Sequence, residues 1–531
     1  MKTKNILKFL MVASGVLVLS ACNDHDDNVS TSEHSATVET SAYVQTKTPY
    51  KPQQDLNSYQ SAPTGFQPVF TELVARHGSR GLSSIKYDLA LYNLWKQAKA
   101  DHALTPLGEQ LGADIEAMMK ANILLGYGVT GIRQSGYGNE SQLGIEEHRG
   151  IADRLLQRLP SLFNTSVLEQ MDIAVQSSGV DRAVDSAKFF TNELITKRPD
   201  LKEKIHPISY TSLDSNSNPS IDDQGVDRFL LYFHSLNKAT DLSQMSSPLR
   251  QNIYDASLKY QDFEENDVNL KQKLQELLNN NNAQQIALKV LTPLFKNEFI
   301  QKLGSQGYTF SNTGSFTATA LDGTQFTEKG KGKNTIASTV DAAAYLYELY
   351  SIAPGMKKEL GNTDFTKYMP IDAAKFYAEY NDAQDFYQKG PSFTESNQVT
   401  SNIAQGLKQD FFAQVDQVIN KQQQHKAVLR FAHAEIIIPL ATAFELKAMM
   451  TPLALNQTYS YSSSTWRGED VSPMAANMQW DIYQNAQGST LVKMLYNEKE
   501  TLFKSSCDYA RYNSASFYYD YQKLKQCYSV H

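Results

Sequence analysis

Two arginines and a histidine stand within five residues at Arg76-His77-Gly78-Ser79-Arg80, closing an apolar run that begins at Phe66. Two later stretches carry related groups, Ser177-Ser178-Gly179-Val180-Asp181-Arg182 and His433-Ala434-Glu435. Three guanidiniums suit one tetrahedral dianion, because each gives fork-like, charge-assisted hydrogen bonds to its oxygens and stays charged at a working pH. Gly78 allows backbone to approach such an anion or to take an unusual φ. An unprotonated imidazole within that clamp can attack phosphorus, and the surrounding positive charge lowers its pKa. A carboxylic acid nearby can protonate the departing alkoxide. The arginines take the role that magnesium plays in other phosphoryl transfers, so this chemistry calls for no metal and no cofactor.

Plainer readings exist for each residue. Arg182 can pair with Asp185 on a helix. His433 and Glu435 alternate along an expected strand, share one face, and could be two metal ligands; no third ligand is evident nearby, and the arginines would repel a cation. Lys86, soon after the clamp, is a candidate for binding a second phosphate or a surface lysine. Lys329, Lys331 and Lys333 either meet a polyanion or lie on a solvated hairpin. His148, on a charged helix, reads as solvated, and His425, in a Gln-rich stretch, as exposed.

The elements that must position these groups can be read from periodicity. "FQPVFTELVAR", "MDIAVQSS" and "KAVLRFAHAE" read as strands. Each leads into polar residues and then a helical pattern. "LTPLGEQLGADIEAMMKANI" opens with Thr105-Pro106, a cap followed by a first-turn proline. The fold class is therefore α/β, with a ligand site beyond the carboxyl ends of the strands, provided the three strands are neighbours. Residues 205–400 are mostly helical in pattern and read as a helical domain inserted into an α/β domain of 66–204 and 401–531.

The chain has 531 residues, 41% apolar, enough for one large domain with an insertion or for two domains. No charge block suggests a nucleic-acid partner. Lys2, Lys4 and Lys8 precede an apolar run ending in Leu19-Ser20-Ala21-Cys22. That run is too short and wrongly flanked for a lasting membrane span, and reads as a signal peptide over residues 1–21. The end resembles a bacterial lipobox, which implies lipidation of Cys22. Residues 22–65 are polar and aperiodic and read as a flexible tether. The formal charge is −7, and −10 without the three leader lysines, so an anion site must be locally basic. Cys507 and Cys527 form an even pair in an exported chain, which points to a disulfide.

Arg76-His77-Gly78-Ser79-Arg80 resembles the RHGxR signature of the histidine acid phosphatases, a clade of the histidine phosphatase superfamily. His433-Ala434-Glu435 resembles the HAE tripeptide of its multiple inositol polyphosphate phosphatase branch, which is phytase-like. "LGIEEHRGIADRLLQRLPSLF", "SSGVDRAVDSAKFF", "VSPMAANMQWDIYQ" and Asn497-Glu498 are also similar to this branch, so the resemblance runs from about residue 66 onward. It implies an α/β sandwich with an inserted α domain. It implies His77 as the nucleophile that becomes phosphohistidine, Arg76, Arg80, Arg182 and His433 as phosphate holders, and Glu435 as proton donor and later base. The sequence departs from the common motif after RHGxR, where Gly81-Leu82 replace an aromatic residue and proline; that bears on the substrate pocket more than on catalysis.

Three functions follow as expectations: a lipid-anchored phosphomonoesterase acting on inositol polyphosphates such as phytate; a broad acid phosphatase on sugar phosphates or nucleotides; and a non-catalytic lipoprotein binding polar ligands. The expected partners are a small phosphomonoester and, through the anchor alone, a membrane. The expected place is the bacterial cell envelope, with Asn23 after Cys22 leaning towards the outer membrane.

Overall fold

β-branched and aromatic residues with no polar face dominate the run ending at Arg76, and that pattern belongs to a strand buried on both faces. In the computed structural model, which describes residues 42–164, 171–206, 225–278, 282–305, 307–446 and 450–530, this run is the central strand β1, Gln67–Arg76. The others of the main sheet are β2 (Asp172–Ser177), β3 (Ile205–His206), β4 (His425–Ala432), β5 (Asn477–Gln484), β6 (Thr490–Tyr496), β7 (Lys499–Thr501) and β8 (Tyr518–Asp520). Their order is β7-β6-β5-β1-β4-β2-β3, with β8 also on β6. β1, β4, β2 and β3 run parallel, and β5 to β8 form an antiparallel flank. The two residues between β6 and β7, Asn497 and Glu498, both have positive φ, 50° and 57°, the backbone that a two-residue hairpin requires.

The three strands singled out by sequence are thus neighbours, and the register levels their ends. Arg76 pairs with Ala432, and Ser177 with Phe431. His77, Ser178 and His433 therefore leave the sheet side by side.

Helices cover both faces. Ile151, Leu155, Val184, Phe190 and Leu194 pack on one face, from α3 (Gln142–Arg158) and α4 (Asp181–Lys197). The helix Gln405–Ile419 and α5 (Ala434–Ala443) pack on the other, around Phe411, Phe412, Ile437 and Trp480. A further apolar cluster joins α1 (Tyr87–Ala100) and α2 (Pro106–Ile123) to the helices Ala283–Leu291, Thr339–Ile352 and Ile371–Gln388. Thr105 caps α2 through Oγ, which accepts from Gly108 N at 3.0 Å, and Pro106 follows it as expected. α1 and α2 therefore share a core with the stretch assigned to the insertion. Helix Ile371–Gln388 reaches into two cores, through Tyr377 in the helical cluster and Phe386 beside the sheet.

Three expectations change. Part of the supposed tether is packed structure: Val44, Gln45, Thr46 and Tyr50 are buried. Its polar composition hid this because much of its bonding is through backbone groups, among them the Ala42, Tyr43, Thr46 and Thr48 carbonyls and Tyr50 N. His148 is fully buried, its Nε2 3.1 Å from the Arg76 carbonyl, rather than solvated. His425 is half-buried at the start of β4. Cys507 and Cys527 are joined by a disulfide, with Cα atoms 5.7 Å apart. The leader, Cys22 and the first part of the tether lie outside the described residues.

Candidate active site

The loop after β1 is held from below by carboxylates. Glu147 on α3 accepts from Ser79 N at 2.7 Å and Ser79 Oγ at 2.7 Å through its two oxygens, and from Tyr50 N at 2.8 Å. Glu140 accepts from Gly78 N at 3.2 Å and Ser186 Oγ at 2.7 Å. Gly78 lies against Gly144: a Cβ on Gly78 would stand 2.6 Å from Gly144 Cα, and one on Gly144 would stand 2.3 Å from the Ser79 carbonyl oxygen. Two glycines are needed here because loop backbone and helix backbone touch. Gly81-Leu82 continue the same logic. Leu82 N donates to Asn122 Oδ1 at 2.7 Å, and a Cβ on Gly81 would collide with that oxygen at 2.3 Å. These two residues pin the loop to α2.

His77 is buried, and its Nδ1 is 2.9 Å from the Gly78 carbonyl. A carbonyl only accepts, so Nδ1 carries the proton and Nε2 keeps its lone pair. Burial, then Arg182, Arg76, Arg80 and His433, hold its pKa well below the usual value. The imidazole is therefore the free base over the ordinary pH range.

The three arginines surround it. Arg76 spends one end of its guanidinium on the Thr46 and Ser472 carbonyls, and Arg80 donates to the Gly81 carbonyl at 2.6 Å. The buried Nε groups of Arg76, Arg80 and Arg182 all lack an acceptor on the protein. Burial, and in Arg80 the neighbouring Arg182 and Arg76, lower the Arg76 pKa to about 10 and that of Arg80 to about 9. Burial lowers that of Arg182. One buried and two half-buried guanidiniums with unfilled Nε donors form a site complementary to a multiply charged anion. Arg182 is not tied up by Asp185, whose ion pair is with Lys188 at 3.8 Å.

His433 and Glu435 reach the site differently from the expectation. β4 ends at Ala432; His433 is the residue before α5, and Glu435 sits in the first turn of that helix. The helix rather than strand alternation sets their spacing, and the amino end of α5 favours negative charge beside Glu435. His433 is buried with Nε2 2.8 Å from Ser178 Oγ, which already accepts from Val180 N at 3.3 Å. We assign the serine proton to Nε2, which leaves His433 Nδ1–H, buried and without a protein acceptor, as a neutral donor. The His77 and His433 rings are edge to face, 5.5 Å between centroids.

Sequence reasoning missed the groups around Glu435. Lys389 Nζ lies 3.3 Å from Glu435 Oε1 and 2.9 Å from Asp385 Oδ1. Burial pushes the Glu435 pKa up, but Lys389, His234, His433 and its own backbone N–H outweigh this and hold it well below the usual carboxylate range. His234 belongs to the same pocket, 4.4 Å from the Tyr232 ring, and burial lowers its pKa to about 4. These residues come from a stretch of undistinguished pattern, and only the fold carries them to the strand ends. Lys86 lies just before α1, partly buried, and Lys329, Lys331 and Lys333 are exposed at the end of the hairpin Ser315–Thr319/Gln325–Lys329.

Residues 70–497 match the histidine phosphatase superfamily, branch 2. The chain belongs to that superfamily. Among solved structures of histidine phosphatases, it is similar to the multiple inositol polyphosphate phosphatase of Bifidobacterium longum, as a complex with inositol hexasulfate, with 32% identity and a TM-score of 0.77. The phosphate complex of the same enzyme gives 31% and 0.78. Both alignments cover 92% of this chain and 97% of the other. The phytase of D. castellii, 11% identical with a TM-score of 0.56 over 92% of this chain and 84% of its own, shares the fold. This histidine phosphatase is a phosphoric monoester hydrolase of the multiple inositol polyphosphate phosphatase branch.

Proposed function

We propose that this enzyme removes phosphate from inositol polyphosphates such as phytate through a phosphohistidine. The observation that carries the reading is His77: its Nδ1 is fixed on the Gly78 carbonyl, which leaves Nε2 as the nucleophile among three arginines whose buried Nε groups are unfilled. The similarity to a phosphatase described with inositol hexasulfate supports the substrate class.

In the first step the His77 Nε2 lone pair forms the P–N bond, the P–O bond to the leaving group breaks, and the alkoxide takes a proton from the Glu435 carboxylic acid. Positive charge on the ring is met by the Gly78 carbonyl at Nδ1. Arg76, Arg80, Arg182 and His433 Nδ1–H hold the phosphoryl oxygens as charge moves onto them. In the second step Glu435, now a carboxylate, takes a proton from water, the water oxygen attacks phosphorus, and the P–N bond breaks. Lys86 is proposed to meet a second phosphate of the substrate. The proposed setting is the bacterial cell envelope, with Cys22 lipidated in the outer membrane.

The test is phosphate release from phytate, in chelator, by the chain from residue 23 onward and by its His77→Ala variant. Release by the parent and none by the variant is expected. Release only from simple sugar phosphates or nucleotides would replace the inositol phosphate reading with a broad acid phosphatase. Equal release by parent and variant would refute the phosphohistidine.

A further inference from the structure

Glu435 presents a conflict that the two-step scheme must resolve. The scheme needs it protonated before the leaving group departs, yet an ammonium, three guanidiniums and two imidazoles face it. Lys389 lies 3.3 Å from it, and His234, His433, Arg182, Arg76 and Arg80 face it from the other elements, with the Tyr260 phenol also near. Lys389 is the group among these in direct ion-pair contact. It stands just past the carboxyl end of helix Ile371–Gln388, with its backbone N–H on the Asp385 carbonyl at 2.9 Å. Asp385, one turn earlier, offers the same ammonium a second carboxylate at 2.9 Å. The ammonium thus lies between two carboxylates, one in the site and one behind it. Both partners are anchored: Glu435 by the first turn of α5, and Asp385 by a helix that reaches into two cores.

We propose that Lys389 is a positioning residue for proton uptake at Glu435: it holds the carboxylate ionised and in place while the site is unliganded, and transfers its ion pair to Asp385 when a dianion enters and Glu435 takes a proton. The proton comes from solvent and forms the O–H bond of the carboxylic acid, which the departing alkoxide then consumes. The side chains of the pocket gain one positive charge as the dianion brings two negative ones, so the carboxylate charge is removed at the moment when it would repel the phosphoryl oxygens. Asp385 keeps the partly buried ammonium paired, so no uncompensated cation is left. The proposal rests on the reading of Glu435 as the acid.

The first test is the pH dependence of kcat/KM, which reports the groups of the free enzyme, for the full chain and for Lys389→Met, which keeps the length of the side chain and removes the charge. An ammonium in contact with a carboxylate lowers its pKa by roughly 1 to 3 units, so the basic limb of the profile is expected to move up by that amount in Lys389→Met and to stay in place in Lys389→Arg. A structural role alone would lower kcat/KM at every pH and leave the limb where it is; that result would overturn the proposal. The second test needs no turnover. Sulfate, a dianion that does not titrate in this range, is bound calorimetrically at about pH 4.5, the ordinary carboxylate range, in two buffers of different ionisation enthalpy. The proton uptake of the parent minus that of Glu435→Gln counts the Glu435 proton, and this difference is expected to fall at least twofold in Lys389→Met. An unchanged difference would overturn the proposal. Equal phosphate release by the parent and His77→Ala would remove the phosphohistidine instead, while the sulfate measurement would still judge Lys389.

Discussion

Replacing Glu147 with Gln tests whether the catalytic loop is held by acceptors alone. Its two oxygens receive three donors: Ser79 N and Ser79 Oγ, each at 2.7 Å, and Tyr50 N at 2.8 Å. The shape is unchanged in Glu147→Gln, but one oxygen becomes an NH2 group. Whichever oxygen is lost, that NH2 faces a backbone N–H, of Ser79 or of Tyr50. An unsatisfied buried donor costs about 1–3 kcal/mol and the loss of charge assistance adds to it, for a total of roughly 2–4 kcal/mol. With an unfolding entropy near 2.1 cal/mol/K per residue, or about 1 kcal/mol/K for the roughly 460 described residues, Tm falls by about 2 to 4 °C. If half of the cost appears as displacement of the loop that carries His77, about 1–2 kcal/mol, kcat falls roughly 5- to 30-fold. Ser79→Ala is the control, since it keeps both backbone bonds and loses one hydroxyl bond worth about 1 kcal/mol, less than a tenfold change. Thermal melts and steady-state kinetics measure both quantities. A Glu147→Gln enzyme with the parent's Tm and a kcat within twofold would refute the argument.

Gly78→Ala is expected to lower kcat by about a hundredfold or more, because the new Cβ meets Gly144 backbone at 2.6 Å and Glu140 Oε1 at 2.5 Å, and a loop shift approaching 1 Å costs on that order; parent-like kinetics would contradict the packing. Cys507→Ser/Cys527→Ser opens a link of sequence separation 20, worth about 3 kcal/mol by loop entropy, so Tm should drop by about 3 °C while kcat is unchanged, as read by thermal melts and kinetics. Asp382 is buried, accepts from Tyr461 OH at 2.7 Å, and is pushed up to about 8 by burial. A carboxyl with a folded pKa above its unfolded value contributes stability that is full below about 4 and is lost as pH rises through the folded value. Urea melts at pH 5, 6.5 and 8 should therefore show a decline that flattens in Asp382→Asn; the same slope in both would refute the assignment.

Residue types and spacing made most of the chemistry legible. Arg76, His77, Arg80, Arg182, His433 and Glu435 all stand at or just past ends of strands visible in the pattern, because apolar alternation and continuous apolar runs report burial locally. The capped start of α2 at Thr105-Pro106 was readable for the same reason. Strand periodicity extended too far at β4, where His433-Ala434-Glu435 already turn into α5: an apolar run such as Ile436 to Leu440 has no period that separates strand from helix. His148 looked solvated because its helix is charged in sequence, whereas its own position faces the sheet.

By itself the sequence determined the inventory of groups, the strands that would bear them and the even cysteine pair, since these depend on local composition and short-range period. The tertiary structure alone decided that the three strands are neighbours with level ends, which tautomer His77 adopts against the Gly78 carbonyl, and which groups set the charge of Glu435. It brought Lys389 and Asp385 from the end of one helix, His234 from a short turn, and Thr46 and Tyr50 from a segment that read as tether. Such contacts join residues far apart in the chain, and they are fixed by packing and by the need to pair buried charges and backbone groups, neither of which leaves a local signature in the sequence.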